Sequence, residues 1–185
     1  MKRCFTILLC VLMLLSFCGC MQPGLHATGT TTETTETTTP APTRETHIQL
    51  EFFLEGMQEF QAATLFVGEG YSLYITDDNW IEAPGEKGAV TWTSGYNPDI
   101  TLTVIPNAGA DRSLVKEALF AGYTCFDESG EYIFGRNGSG LYYRAARLIE
   151  TPNGVLAAVW NYSLEAAEGF GARLYVIAGT LEDSQ

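Results

Sequence analysis

The sequence predicts an α+β protein, with an antiparallel β-sheet of about seven to eight strands, an α-helix at 111–121 and a C-terminal helix at 164–179. Short runs rich in β-branched and aromatic residues alternate with polar residues at a period of two, which is typical of strands. Turn-forming residues separate these runs, and one segment has apolar residues at helical spacing instead. The length of 185 residues favours one domain with attached segments.

The N-terminus predicts a lipoprotein signal peptide at 1–20. Lys2 and Arg3 precede an almost unbroken apolar run, 5–18, which is shorter than the roughly 20 residues that span a bilayer. The end of this run resembles a bacterial lipoprotein signal, in which a small residue, here Gly19, precedes a cysteine that is lipidated. We therefore expect lipidation of Cys20, and an ordinary cleaved signal peptide is the alternative.

The composition of residues 21–46 predicts a disordered linker. Eleven threonines lie between Thr28 and Thr46, together with Pro40 and Pro42 and without apolar periodicity. A flexible linker of this length spans about 25–30 Å. We expect the remaining domain, 47–185, to stand on the outer face of the cytoplasmic membrane, anchored by lipid, in a Gram-positive bacterium.

The strands follow from alternation and turns. A hairpin, 47–54 with 58–67, turns at Gly56. The next strand, 71–76, carries Leu73 and Ile75 on one face and is predicted to be half-buried. Asp77, Asp78 and Asn79 end it, and Trp80 is expected to fold back onto the core. The remaining predicted strands are 89–94, 100–105, 132–135, 141–150 and 155–162.

Two helices complete the prediction. Asp111 can cap the first, at 111–121, and Gly122 can end it. The C-terminal segment fits a helix through Leu164, Ala167, Leu174 and Leu181, but its alternate residues from Phe170 also fit a strand. An Ala/Glu-rich start after Ser163 favours the helix at 164–179.

Three strands carry a resemblance to the PsbP-like family, over about residues 70–182. They are Gly70–Tyr71–Ser72–Leu73–Tyr74–Ile75 followed by Trp80, Val90–Thr91–Trp92, and Ile100–Thr101–Leu102–Thr103–Val104. The resemblance implies an antiparallel sheet with packed helices and a role in binding proteins. The hairpin 47–67 lies outside it, and the proline that such proteins often carry before the tryptophan is missing here.

Charge and cysteine content limit the function classes. The net charge of the whole chain is −12, and without Lys2 and Arg3 it becomes −14. This charge repels nucleic acid and anionic lipid surfaces, so we expect no nucleic-acid partner. Cys125 is the single cysteine after Cys20, and its apolar neighbours predict a small buried side chain.

Histidine content argues against common catalytic sites. His26 lies in the linker and His47 at the edge of the domain, so a Ser-His-Asp or Cys-His arrangement has no base. A Cys/His zinc site lacks ligands as well. The sequence shows no phosphate-binding glycine motif. We therefore predict no enzyme activity and no cofactor.

Carboxylates leave one alternative open. Asp77, Asp78 and Glu82 flank Trp80, and a second group follows the helix: Asp127, Glu128 and Glu131. Two carboxylates in a cleft could make a hydrolase that acts on cell-wall or other polysaccharide. Asp77, Asp78, Asp127 and Glu128 are also weak candidates for metal binding, although the spacing of a calcium loop is absent.

Aromatic residues give the preferred hypothesis, a binding or accessory module without catalysis. Most of the rings should lie in the core, and those that stay exposed would form a patch for a partner. We expect a monomer that binds another protein. The candidate surface consists of Trp80, Trp92, Tyr142, Tyr143, Arg144 and Trp160.

Overall fold

The computed structural model of this chain describes residues 44–184. The predicted signal peptide, the lipidation site Cys20 and the linker as far as residue 43 lie outside the described residues. None of the helices within 44–184 has both the length and the apolar character needed to cross a bilayer.

The described chain forms eleven strands and two α-helices, which confirms the α+β class. The strands are β1 (His47–Leu54), β2 (Met57–Gly68), β3 (Tyr71–Thr76), β4 (Trp80–Pro84), β5 (Val90–Ser94), β6 (Thr101–Ile105), β7 (Tyr123–Ser129), β8 (Tyr132–Asn137), β9 (Tyr142–Thr151), β10 (Gly154–Ser163) and β11 (Glu182–Asp183). The helices are α1 (Arg112–Leu119) and α2 (Ala172–Gly179).

These strands make two antiparallel sheets instead of the single sheet that the sequence predicts. The smaller sheet has the order β1-β2-β3-β11, and the larger one has the order β4-β5-β6-β10-β9-β8-β7. The two-residue turn Glu55–Gly56, with both residues at positive φ, fixes the register of β1 on β2. A second two-residue turn, Glu69–Gly70, does the same for β2 on β3.

The core lies on both faces of the larger sheet. One face packs against α2 and the smaller sheet, through Trp92, Leu102 and Trp160. The other face packs against α1, through Val115 and Phe120. Strand β10 lies at the centre of the sheet and is buried on both faces, because its alternate residues belong to the two opposite clusters.

Both predicted helices are present. Asp111 caps α1 by accepting hydrogen bonds from the backbone N–H groups of Ser113 at 2.8 Å and Leu114 at 3.0 Å. The C-terminal helical segment covers 164–179, and the strand alternative is wrong. It begins with a 3-10 turn, Leu164–Ala166, and a π-helical turn, Ala167–Gly171, before α2.

Strand β3 is buried on both faces, not half-buried as predicted. Its polar side chains Ser72 and Thr76 are only 5% and 3% exposed. Arg44 covers this polar face. Its Nη1 donates to the Ser72 hydroxyl at 2.9 Å, its Nη2 donates to the Thr180 carbonyl at 2.9 Å, and its guanidinium lies 4.5 Å from the centre of the Tyr74 ring. Arg44, placed in the linker by the sequence, therefore contacts the folded domain.

Candidate functional site

Five of the residues singled out in the sequence meet in one cleft, between β2 and β3 of the smaller sheet and, in the larger sheet, the edge strand β4 and its neighbour β5. The cleft has a volume of about 300 Å³. Its lining combines aromatic rings with carboxylates: Thr64, Leu65, Phe66, Ile75, Thr76, Asp77, Asp78, Trp80, Glu82 and Trp92. We refer to it as the Trp80 cleft.

Two threonines hold the first two carboxylates in place. Thr64 donates a hydrogen bond to Oδ1 of Asp77 at 2.8 Å. Because an ionised carboxylate only accepts, the proton of the Thr64 hydroxyl is engaged there, and Nδ1 of His47, 3.2 Å away, must donate to the Thr64 oxygen.

A similar series of polar contacts ends at the second carboxylate, that of Asp78. The indole Nε1 of Trp80 donates to the Thr76 hydroxyl at 3.1 Å, and this hydroxyl lies 3.5 Å from Oδ2 of Asp78. In both series of contacts an N–H group donates to a threonine hydroxyl that faces an aspartate. The cleft therefore presents carboxylates whose orientation is set by strand residues.

An aromatic wall lies behind these carboxylates. The Phe66 and Trp92 rings meet edge to face with centroids 4.9 Å apart, and the Tyr71 ring lies 6.1 Å from Phe66. Trp92 is 3% exposed and belongs to the core, whereas Trp80 is only partly buried. The ring of Trp80 therefore combines accessibility with a fixed position.

Tyr71 brings a buried hydroxyl close to Glu82. The Tyr71 side chain is fully buried, and its hydroxyl has no hydrogen-bond partner among the described residues. Burial raises the pKa of Tyr71 to about 12, and the negative charge of Glu82 adds to this increase. Gly68 makes room for the phenol, since a Cβ at this position would lie 2.8 Å from its oxygen.

Among residues 44–184, no lysine or arginine forms an ion pair with the carboxylates of the cleft. The ion pairs formed inside 44–184 engage other carboxylates, those of Glu59, Glu128, Glu131 and Glu182. The described residues that line the cleft include no lysine or arginine. Within the same described range, no group of three or more His, Cys, Asp or Glu side chains is arranged to hold a metal ion.

The other four residues of the predicted binding surface lie outside this cleft. Trp160 is fully buried because β10 is the central strand, so it belongs to the core and not to a surface. Tyr142 is 40% exposed, and its hydroxyl lies 3.4 Å from Oδ2 of Asp99. Tyr143 stacks on Tyr162 with centroids 5.5 Å apart.

Arg144 has a structural role in the contacts of this domain. Its Nε donates to Oδ1 of Asn161 at 2.8 Å, its Nη1 donates to the Leu119 carbonyl at the end of α1, and its guanidinium lies 4.4 Å from the centre of the Tyr123 ring. The planar guanidinium is thus engaged by β10, α1 and β7, and we assign Arg144 to packing instead of to ligand binding.

The second acidic group lies at the opposite edge of the larger sheet. Asp127 and Glu128 belong to β7, and six strand spacings separate β7 from β4, roughly 29 Å. Glu128 pairs with Lys116 of α1. The two acidic groups therefore do not face each other across a common cleft.

Cys125 corrects one expectation from the sequence. It is exposed, not buried, because β7 is an edge strand with little cover on either face. It lines a second cavity of about 540 Å³ between α1 and β7.

Sequence reasoning missed His47, Thr64 and Thr76 as parts of the site. The signal was present in the two short turns. A two-residue turn at Glu55–Gly56 pairs His47 with Thr64, and one at Glu69–Gly70 pairs Thr64 with Ile75, next to Thr76. Strand β4 was missed because its five residues end in Pro84 and are mostly exposed.

Comparison with known proteins adds little to this picture. No protein-family model matches the sequence, and no curated protein matches it. Among solved structures, the solution structure of cyanobacterial PsbP (CyanoP) from Synechocystis sp. PCC 6803 is similar, with 13% identity, coverage of 62% of this chain and 86% of that chain, and a TM-score of 0.39. It belongs to the family that the strand pattern resembles, but a likeness at this level supports no conclusion about function.

Proposed function

We propose that this chain is a lipid-anchored, extracytoplasmic binding or accessory module that acts through contacts with a protein or ligand and catalyses no reaction. The observation that carries the proposal is the Trp80 cleft, in which an accessible ring lies beside carboxylates without a cationic partner in the described chain. Concave sites that combine aromatic surface with a few fixed polar groups are typical of binding sites.

The arrangement of the acidic residues supports binding over hydrolysis. A carboxylate-dependent hydrolase places two carboxyl groups within about 10 Å of each other on either side of the bond that breaks. Asp77 and Asp78 lie on the opposite sheet edge from Asp127 and Glu128. The alternative, a hydrolase of cell-wall or other polysaccharide, keeps one observation in its favour, since Asp78 and Glu82 line the same cleft.

Site-specific photo-crosslinking in the source cells tests the binding role. A photoreactive aliphatic residue at position 75, where Ile75 of β3 lines the cleft, should capture a defined protein partner or leave a discrete ligand adduct. The matched control is position 119 on α1, because Ile75 and Leu119 are both partly buried apolar residues and α1 covers the other face of the larger sheet.

The outcomes separate the candidate functions. Capture at position 75 and not at position 119 supports a binding module that uses the Trp80 cleft. Equal, weak capture at both positions would contradict this proposal. Release of soluble sugar from purified cell wall, lost in both Asp78→Asn and Glu82→Gln, would establish the hydrolase instead.

Lipid anchoring is a separate part of the proposal. Replacing Cys20 by Ser should move the protein from the membrane fraction to the soluble fraction and remove the mass of the lipid from the mature chain. Unchanged fractionation and mass in the variant would overturn the assignment of Cys20.

A further inference from the structure

We propose, building on the binding role above, that the Trp80 cleft binds an organic ammonium ion, meaning a charged nitrogen carried on an aliphatic stem. Such a group occurs in free amines and at the end of a lysine side chain. The inference rests on the charges of the cleft, on its aromatic surface and on a buried hydroxyl beside it.

The carboxylates of the cleft favour a cationic ligand. Asp77, Asp78 and Glu82 contribute carboxylates, and neither the lining nor the ion pairs inside 44–184 supply a lysine or arginine to balance them. Thr64 and Thr76 each face one aspartate, so two of the carboxylates are oriented before any ligand arrives. The surrounding chain is acidic as well, which raises the local concentration of cations.

The aromatic surface favours an organic cation over a bare metal ion. Ammonium groups are attracted to the face of a tryptophan ring within about 6 Å of its centre. Calcium instead takes six to eight oxygen ligands, and rings supply none. Leu65, Phe66 and Trp92 add the apolar surface against which an aliphatic stem can pack.

Tyr71 provides an independent observation next to the cleft, since its ring lies 6.1 Å from the ring of the lining residue Phe66. Its hydroxyl is buried and has no partner among the described residues, and Glu82 lies close enough to raise its pKa. Buried polar groups in folded proteins normally have hydrogen-bond partners. A cation held by Glu82 would offset the negative charge that this buried oxygen faces.

The size of the cleft limits the ligand. A volume of about 300 Å³ lies at the lower end of the range for small-molecule sites. It accommodates one ammonium group with a short stem, either a small free amine or a single lysine side chain of a partner.

Fluorescence titration of the full-length lipidated protein, solubilised in detergent at low ionic strength, tests the inference. The probes are butylammonium and choline, and their uncharged counterparts are butanol and 3,3-dimethylbutan-1-ol. We expect saturable quenching of tryptophan emission by both cations, with dissociation constants on the order of 1 mM, and no saturable response to the alcohols.

Variants assign the binding to the cleft. Glu82→Gln on the exposed strand β4 should weaken ammonium binding roughly three- to tenfold, and Asp78→Asn should act similarly. Glu128→Gln, at the opposite edge of the larger sheet, is the matched control and should leave affinity unchanged. Circular dichroism checks that each variant is folded. If Asp78→Asn does not fold, Glu82→Gln still provides the test, because Glu82 is exposed.

Each outcome decides between alternatives. Tighter binding of a lysine-containing peptide than of butylammonium would identify a protein partner as the source of the ammonium group, and equal binding would identify a free amine. Equal responses to cations and alcohols, or a response to Ca²⁺ without one to ammonium, would overturn the inference. Capture at position 75 together with failure of the ammonium titration would leave the binding role standing and remove only the ligand class.

Discussion

The indole Nε1 of Trp80 donates a hydrogen bond to the hydroxyl of Thr76 at 3.1 Å, and Thr76 is only 3% exposed. The contact joins the first residue of β4, in the larger sheet, to the last residue of β3, in the smaller sheet. Because the same hydroxyl faces Asp78, the orientation of the ring and that of the carboxylate depend on one shared contact. The shape of the Trp80 cleft is therefore coupled to the way in which the two sheets meet.

A double-mutant cycle measures this coupling. Trp80→Phe removes the N–H donor, and Thr76→Val removes the hydroxyl while keeping a similar shape. We expect an interaction free energy of about 0.5–1.5 kcal/mol between the two positions, measured by urea unfolding, because this is the usual net contribution of one hydrogen bond. Strictly additive effects of the two substitutions would show that the contact does not stabilise the fold.

The raised pKa of Tyr71 predicts a loss of stability at alkaline pH. Burial, reinforced by Glu82, raises the pKa to about 12, compared with about 10 in the unfolded chain. Between these values the unfolded state releases the proton and the folded state retains it, so stability is full below pH 10 and falls as pH rises towards 12. We expect a loss of about 1–2 kcal/mol from this residue, reduced by solvent screening.

Tyr71→Phe isolates this contribution. Burial also raises the pKa of Tyr132 and Tyr162, so the wild-type profile alone sums several phenols. The difference in unfolding free energy between wild type and variant should be constant below pH 10 and shift in favour of the variant above it. At neutral pH the variant should be at least as stable as wild type, because it removes a buried hydroxyl without a partner in the described chain. A difference that stays flat up to pH 12 would contradict the prediction.

Arg144 should prove structural. Arg144→Ala removes the hydrogen bonds to Asn161 and to the end of α1, and we expect it to cost about 2–3 kcal/mol of unfolding free energy. Arg136, an exposed arginine on β8, is the matched control, and its replacement by Ala should cost less than about 0.5 kcal/mol. Loss of ammonium binding in a folded Arg144→Ala protein would show that this residue belongs to the binding site after all.

The exposure of Cys125 predicts fast thiol labelling of the native protein. Ellman's reagent should react with the folded chain at a rate within about tenfold of the rate in denaturant, since access and not unfolding limits the reaction. Cys125→Ala supplies the background from any other thiol. A reaction that needs denaturant would indicate a buried side chain, as the sequence predicts.

Central elements of the fold were predictable because their patterns are governed by local chemistry. The alternation in 71–76, the cap at Asp111 and the apolar run of β10 each determine their own structure. The division into two sheets was not predictable in this way. It depends on β4, which pairs with β5 and not with β3, and whose exposed residues follow no burial pattern. Strand β7, at the other edge of the larger sheet, shows no such pattern either.

The site was only partly predictable for a related reason. Trp80, Asp77 and Asp78 are neighbours in the sequence, so their proximity follows from the turn after β3. Trp92 joins them through the pairing of β4 with β5, in which it lies opposite Glu82. The burial of Trp160 could not be predicted from composition. A tryptophan on a central strand cannot be distinguished from one on an edge strand until the order of the strands is known.

The position of Arg44 has a mechanical consequence. Arg44 lies three residues before the start of β1. Its side chain donates hydrogen bonds to Ser72 on β3 and to Thr180 at the end of α2. A pulling force on the chain that precedes Arg44 therefore loads β3 and the end of α2 before it reaches the first pair of β1 and β2. A hairpin pulled from one end opens one pair at a time, and this attachment shields it. The contacts of Arg44 thus take up force from any preceding tether before the hydrogen bonds between β1 and β2 do.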